Sequence, residues 1–217
     1  MATEPSAQRS RTHSMLLVAT VSLGAALLIT GAYEVSHERI VENERTLLLA
    51  NLGSVVEVAG GNEPDAQELN APDLQGNEYV AQVFAMLDDS QLLAWVYAGV
   101  APQGYNGPID FLLGLTPRGD IIRVRIIRHR ETPGLGDAIE SEKSDWIRQF
   151  EGRSLEYPTR WALAADGGEF DALTGATVTP RAVVAAIEAV LQYHAASGDA
   201  LETALERTLE TRQSEDP

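Results

Sequence analysis

A chain of 217 residues with 16 Lys and Arg against 32 Asp and Glu has a formal charge of −16, which excludes a nucleic-acid backbone as partner because phosphate contacts need clustered cations. The absence of cysteine excludes disulfides, iron–sulfur ligation and thiolate chemistry, so any redox function needs an organic cofactor. With an apolar N-terminal stretch and a polar C-terminal stretch set aside, the remaining length suits one medium domain with a proper core.

From Thr12 to Tyr33 the chain has no Asp, Glu, Lys or Arg. About 20 apolar residues, rising roughly 1.5 Å each, cross a hydrocarbon layer of about 30 Å, so residues 12–33 predict a transmembrane helix. A cleaved signal peptide ending near Thr30-Gly31-Ala32 is the alternative, but its apolar part usually has only about 7–15 residues. Arg9 and Arg11 precede the span and Glu34 and Glu38 follow it, which puts residues 1–11 in the cytoplasm and the folded domain outside. Residues 34–76 then read as a juxtamembrane helix from Val35 to Val58 and a loop from Gly60 to Gly76 rich in Gly, Asn, Asp and Pro.

Four short β-branched or aromatic runs follow, from Tyr79 to Ala85, Leu92 to Ala98, Ile109 to Leu115 and Ile121 to Ile127. They predict four strands of a mostly antiparallel sheet, the last two joined by a hairpin through Pro117 and Gly119. Ser141 to Gln149 reads as a short helix with Ser141 or Ser144 as N-cap and Trp146 and Ile147 facing inward. A second helix has Thr179 as N-cap, Pro180 at the first helical position, and Val183, Val184, Ile187, Val190 and Leu191 as its apolar stripe. A sheet with segregated helices makes residues 77–196 an α+β domain. Residues 197–217 form an acidic C-terminal tail in which Leu201, Leu205 and Leu209 keep helical spacing, predicting a peripheral helix with a frayed end.

Two loop islands carry the candidate chemistry: His129 to Gly136 after the fourth run, and Asp171 to Thr177 before the second helix. In the latter, Thr177 offers a hydroxyl, Gly175 and Ala176 leave space, and the helix N-terminus beginning at Thr179 favours an anion, so a phosphate ester suits the place. From spacing alone, Thr174, Thr177 and Thr179 equally suit an ordinary turn and cap. No H-x-x-x-H pair, G-x-G-x-x-G, Walker sequence or G-x-S-x-G elbow occurs, which argues against a zinc site, nucleotide binding and a serine hydrolase.

The Asp171-x-x-Thr174-Gly175-Ala176-Thr177 segment resembles the motif read by the periplasmic flavin transferase, which moves FMN from FAD onto the final threonine. Together with Glu131-Thr-Pro-Gly-Leu-Gly136, Gly104-Tyr-Asn-Gly107 and Asp166-Gly-Gly-Glu-Phe-Asp171, it is similar to the G subunit of the Rnf/Rsx ion-translocating electron transport complex. A related FMN-binding domain occurs in the C subunit of the sodium-pumping NADH:quinone oxidoreductase. The likeness runs from the anchor to about Ala195, and its one departure is Thr174 in place of the more frequent serine.

That resemblance implies an FMN-binding domain with FMN esterified to Thr177, a single-pass protein of the bacterial inner membrane with its main domain in the periplasm, and the other members of the complex as partners. It implies electron flow between NADH and ferredoxin coupled to ion movement, the flavin transferase being a transient partner. Gly134 and Gly136 would let the backbone approach the ring. Glu131 and Thr132 would orient the flavin or its ribityl hydroxyls, and Tyr105, Leu135 and Trp146 would wall the ring. Two other classes remain open from the residues: an extracytoplasmic module binding a small molecule reversibly, and a tethered hydrolase using Glu131 with His129 or an Asp.

Overall fold

The computed structural model describes residues 51–56, 65–71, 74 and 76–215. The expected span at 12–33 and most of the juxtamembrane helix lie outside these residues. Among the described residues, no helix is long and apolar enough to cross a membrane. Residues 51–55 are helical, in keeping with the end of the juxtamembrane helix, and bury Leu52 and Val55.

Five strands form one antiparallel meander, in the order β1 (Asp65–Leu69), β2 (Val80–Asp88), β3 (Gln91–Ala101), β4 (Ile109–Leu115) and β5 (Ile121–Arg128). The four expected runs are β2 to β5. The centres of β2, β3 and β4 are buried on both faces, so they read as near-continuous apolar runs rather than alternations, whereas β5 buries only Ile121 and Val124. By alternation and register, Val83, Ala85, Trp95, Tyr97, Phe111, Leu113 and Val124 face the main helix. Phe84, Met86, Ala94, Val96, Leu112 and Gly114 share the opposite face. Segment 51–56 sits on that second face: a Cβ added to Gly114 would lie 2.6 Å from Val55 Cγ1, and Arg123 donates to the Ser54 carbonyl at 2.8 Å.

β1 corrects the expectation of a loop from Gly60 to Gly76. Its sequence, Asp-Ala-Gln-Glu-Leu, has little strand propensity, and of its residues only Leu69 is buried. Pairing with β2, from Asp65↔Leu87 to Leu69↔Val83, makes it an edge strand despite its composition. The β2–β3 turn places Asp89 at φ 44° and Ser90 at φ 67°, the pattern of a two-residue hairpin with both central residues left-handed. The expected β4–β5 hairpin closes through Thr116 N–H to the Asp120 carbonyl at 2.8 Å, with Gly119 at φ 89°.

Beyond β5 the chain makes three 3-10 turns, η1 (Gly136–Ile139), η2 (Trp146–Phe150) and η3 (Ala164–Asp166). The expected helix from Ser141 to Gln149 is therefore only the turn η2. Ser144 Oγ accepts from Trp146 N–H at 3.1 Å and donates to the Ala138 carbonyl at 2.6 Å, which ties η2 to η1 instead of starting an α-helix. Phe150 is the hub of an aromatic cluster, with ring centroids 5.4 Å from Trp146, 6.2 Å from Trp161 and 4.7 Å from Phe170.

A single helix, α1 (Val178–Glu215), spans 38 residues, so it is about 57 Å long. It runs straight through the expected boundary at 196/197. Val183, Ile187 and Val190 are fully buried, and so is Leu201, with Leu205 nearly so. Residues read as a polar tail thus continue the helix that covers the sheet, and Arg212 near its end pairs with Asp65 on β1. Between these halves, Tyr97 hydroxyl and His194 Nδ1 lie 2.6 Å apart; burial, followed by Tyr193, pushes the phenol upward, and burial pushes the imidazole downward.

Candidate functional site

The two loop islands meet at the start of α1. Leu173 to Ala176 is a four-residue turn closed by Ala176 N–H to the Leu173 carbonyl at 3.1 Å, with Gly175 at φ 80° in the third position, which glycine takes without strain. Leu135 crosses to this turn: a Cβ on Gly175 would come within 3.0 Å of Leu135 Cδ2. Trp146 Nε1 donates to the Asp171 carbonyl at 2.6 Å and Gln149 Oε1 accepts from Asp171 N–H at 2.8 Å. Trp146, 8% exposed, therefore pins Asp171, two residues ahead of the turn.

The helix begins two residues earlier than expected. Thr177, not Thr179, stands at the N-cap, since its carbonyl accepts the first intrahelical bond from Arg181 N–H at 3.4 Å. A cap hydroxyl ordinarily accepts from the second or third helical amide, here Thr179 and Pro180, and Pro180 has no N–H. Thr177 is exposed, and among the described residues its hydroxyl makes no side-chain hydrogen bond. Thr174 is exposed as well, and Ala176 is half-buried. The amides of Val178 and Thr179 precede the first helical bond, so geometry directs them toward the Thr177 end.

Thr179 goes inward instead. It is 1% exposed and donates from Oγ1 to Glu131 Oε2 at 2.5 Å. Glu131, 5% exposed, accepts on Oε1 from Asn106 N–H at 3.0 Å, and Asn106 Nδ2 reaches Thr132 Oγ1 at 3.1 Å. Gly136 closes the group: a Cβ there would lie 2.8 Å from Glu131 Oε2 and 2.9 Å from Thr179 Oγ1. Gly134, at φ 78°, makes the turn in which Leu135 N–H bonds the Thr132 carbonyl.

Ion pairs brace the loop from behind. His129 Nδ1 accepts from Glu131 N–H at 3.0 Å, leaving Nε2 to donate to Glu140 Oε1 at 2.7 Å. Lys143 bonds both Asp137 and Glu140 at 2.8 Å, and its ammonium holds both carboxyls below their usual range, with His129 assisting at Glu140. On the other side of the turn, Arg181 grips Asp166 through two bonds of 2.7 and 3.0 Å and keeps that carboxyl low.

Large apolar side chains are uncovered beside this turn, at Leu135 and Val178, and on the β3–β4 loop, at Tyr105. Tyr105 is 68% exposed, Leu135 44% and Val178 43%, whereas most other large apolar side chains are buried. A free hydroxyl, helix amides for one phosphate charge and uncovered apolar side chains fit a flat cofactor ending in a phosphate. Val178 was not among the expected wall residues, because the sequence placed it before the helix.

The FMN-binding domain family matches residues 104–192, which contain this whole arrangement. Proteins described as the G subunit of an ion-translocating oxidoreductase complex are similar over nearly the full length. One from Pseudomonas aeruginosa is 36% identical over 89% of this chain and 93% of that protein. One from Pasteurella multocida is 37% identical over 78% of this chain and 86% of that protein, and one from Vibrio cholerae 34% identical over 82% and 87%. A crystal structure of Shewanella oneidensis NqrC matches with TM-score 0.49 and 22% identity, over 68% of this chain and 91% of that chain. On sequence similarity of that extent, the chain belongs to the G-subunit family of the ion-translocating oxidoreductase (Rnf) complex and contains its FMN-binding domain.

Proposed function

We propose that Thr177 carries FMN as a phosphate ester and that the chain relays electrons within a membrane complex that couples electron transfer between NADH and ferredoxin to ion translocation. The observation that carries this reading is the exposed N-cap hydroxyl of Thr177, freed by the proline at position 180 and followed by helix amides. Membership of the G-subunit family supports the complex and its other members as partners.

Attachment is the work of a flavin transferase. The Thr177 oxygen forms a bond to the FMN phosphorus of FAD, the pyrophosphate bond breaks, AMP leaves and the hydroxyl proton is released. The amides of Val178 and Thr179 would hold the remaining phosphate charge, and Leu135, Val178 and Tyr105 would cover apolar surface of the cofactor. Bound FMN supplies exchange of one or two electrons, which suits a junction between unlike carriers. Thr132, exposed beside Asn106, is placed to meet polar cofactor hydroxyls. Residues 12–33 anchor the chain in the inner membrane with residues 1–11 in the cytoplasm, and the domain built on the five-stranded sheet and α1, residues 65–215, is periplasmic.

Co-expression with and without the transferase tests the reading. In-gel flavin fluorescence after denaturation should appear only with the enzyme and vanish in Thr177→Val. Fluorescence that survives Thr177→Val would contradict the assignment.

A further inference from the structure

Glu131 opens the loop that ends at Gly136, yet its carboxylate is turned into the protein. Both oxygens are occupied by the protein's own donors, Asn106 N–H at 3.0 Å and Thr179 Oγ1–H at 2.5 Å, and the side chains of both Glu131 and Thr179 are buried. A carboxyl group this buried, with a protein donor on each oxygen, presents little surface to a ligand. What it does is join three segments distant in sequence: the β3–β4 loop at Asn106, the loop after β5, and the first turn of α1 just past Thr177.

We infer that the Glu131–Thr179 hydrogen bond is a latch that fixes the acceptor turn for flavin transfer, making both positioning residues rather than flavin ligands; this rests on Thr177 being the attachment point. Gly136 is part of the latch, since any side chain there would push between the two partners. His129 supports it through the Glu131 amide, and the Lys143 ion pairs hold His129 through Glu140. The Thr179 methyl is dispensable to this role and its hydroxyl is not.

The full-length chain, purified in detergent from cells lacking the transferase, is compared with Glu131→Gln, Thr179→Val and Thr179→Ser. Hydrogen exchange by mass spectrometry is read first. Losing a hydrogen bond to a charged group should speed exchange roughly ten-fold or more. The faster exchange should appear together in the peptides covering 104–107, 131–137 and 173–181 of Thr179→Val and Glu131→Gln, with Thr179→Ser close to wild type. Each protein is then given transferase and FAD. The initial rate of flavin incorporation should fall about ten-fold in Thr179→Val and Glu131→Gln and recover in Thr179→Ser, while a cooperative thermal transition persists in all four. Unchanged exchange and wild-type transfer rates in Thr179→Val and Glu131→Gln would overturn the latch, as would equal loss in Thr179→Ser. If the wild type takes up no flavin on Thr177, the attachment reading fails, and the exchange measurement alone still decides whether the latch exists.

Discussion

Gly136→Ala probes the packing at the centre of the site with a single methyl group. The added Cβ would lie 2.8 Å from Glu131 Oε2, 2.9 Å from Thr179 Oγ1 and 3.0 Å from Glu131 Cβ, and both partners are buried, so neither can swing into solvent. Overpacking a tight site costs about 1–3 kcal/mol, and parting a hydrogen bond to a charged group costs about 1.5–3 kcal/mol. The two are alternative ways of relieving one clash, so the cheaper sets the cost, about 1–3 kcal/mol, rather than the sum. For a domain of this size that lowers Tm by roughly 2–12 °C, measurable by circular dichroism or calorimetry. Gly134→Ala is the control: nothing lies within 4 Å of its Cβ, so only the left-handed backbone at φ 78° is penalised, by about 1–2 kcal/mol. In a Thr179→Val background the hydrogen bond is already absent, and Gly136→Ala should then cost at least about 1 kcal/mol less than in wild type. A Gly136→Ala protein within about 0.5 kcal/mol of wild type, or strictly additive with Thr179→Val, would refute the reasoning.

Pro180→Ala restores an amide that the Thr177 hydroxyl can cap, an interaction worth about 1 kcal/mol, and so should slow flavin transfer roughly five-fold without unfolding the chain; transferase kinetics with purified protein check this. Gly198 lies inside α1 with nothing within 4 Å of an added Cβ, so Gly198→Ala should stabilise by about 0.5–1 kcal/mol in denaturant titrations. His194, whose pKa burial lowers, faces Tyr97, Trp95 and Gly119. The unfolded chain takes up its proton near pH 6.5 while the folded chain resists, so stability should rise with pH between the depressed folded value and about 6.5 and be fully present above it. His194→Gln should flatten that window in urea melts, leaving the separate loss at lower pH that follows from the depressed carboxyls of Asp137, Glu140 and Asp166.

The sheet was legible because β2 to β5 combine apolar or β-branched runs with turn residues, and burial on both faces kept the runs of β2, β3 and β4 unbroken. β1 was not, because a polar edge strand is defined by its neighbour rather than by its own composition. The start of α1 was misplaced by two residues because Thr179 and Pro180 satisfy the usual start signals while Thr177, preceding Val178, does so too. Local signals cannot rank two adjacent caps; the burial of Thr179 against Glu131, 48 residues away, decides between them. The motif at Asp171 to Thr177 was visible as a string of residues, but its meeting with Leu135 and the exposure of Val178 depend on tertiary packing that periodicity does not encode.

Peptide mass spectrometry of the full-length chain isolated with its native flavin transferase tests the central claim most directly. The peptide containing Thr177 should carry one FMN as a phosphate ester, with fragment ions placing it on Thr177 and not on Thr174 or Thr179. An unmodified peptide from protein that is otherwise folded, or FMN fixed to a different residue, would contradict it.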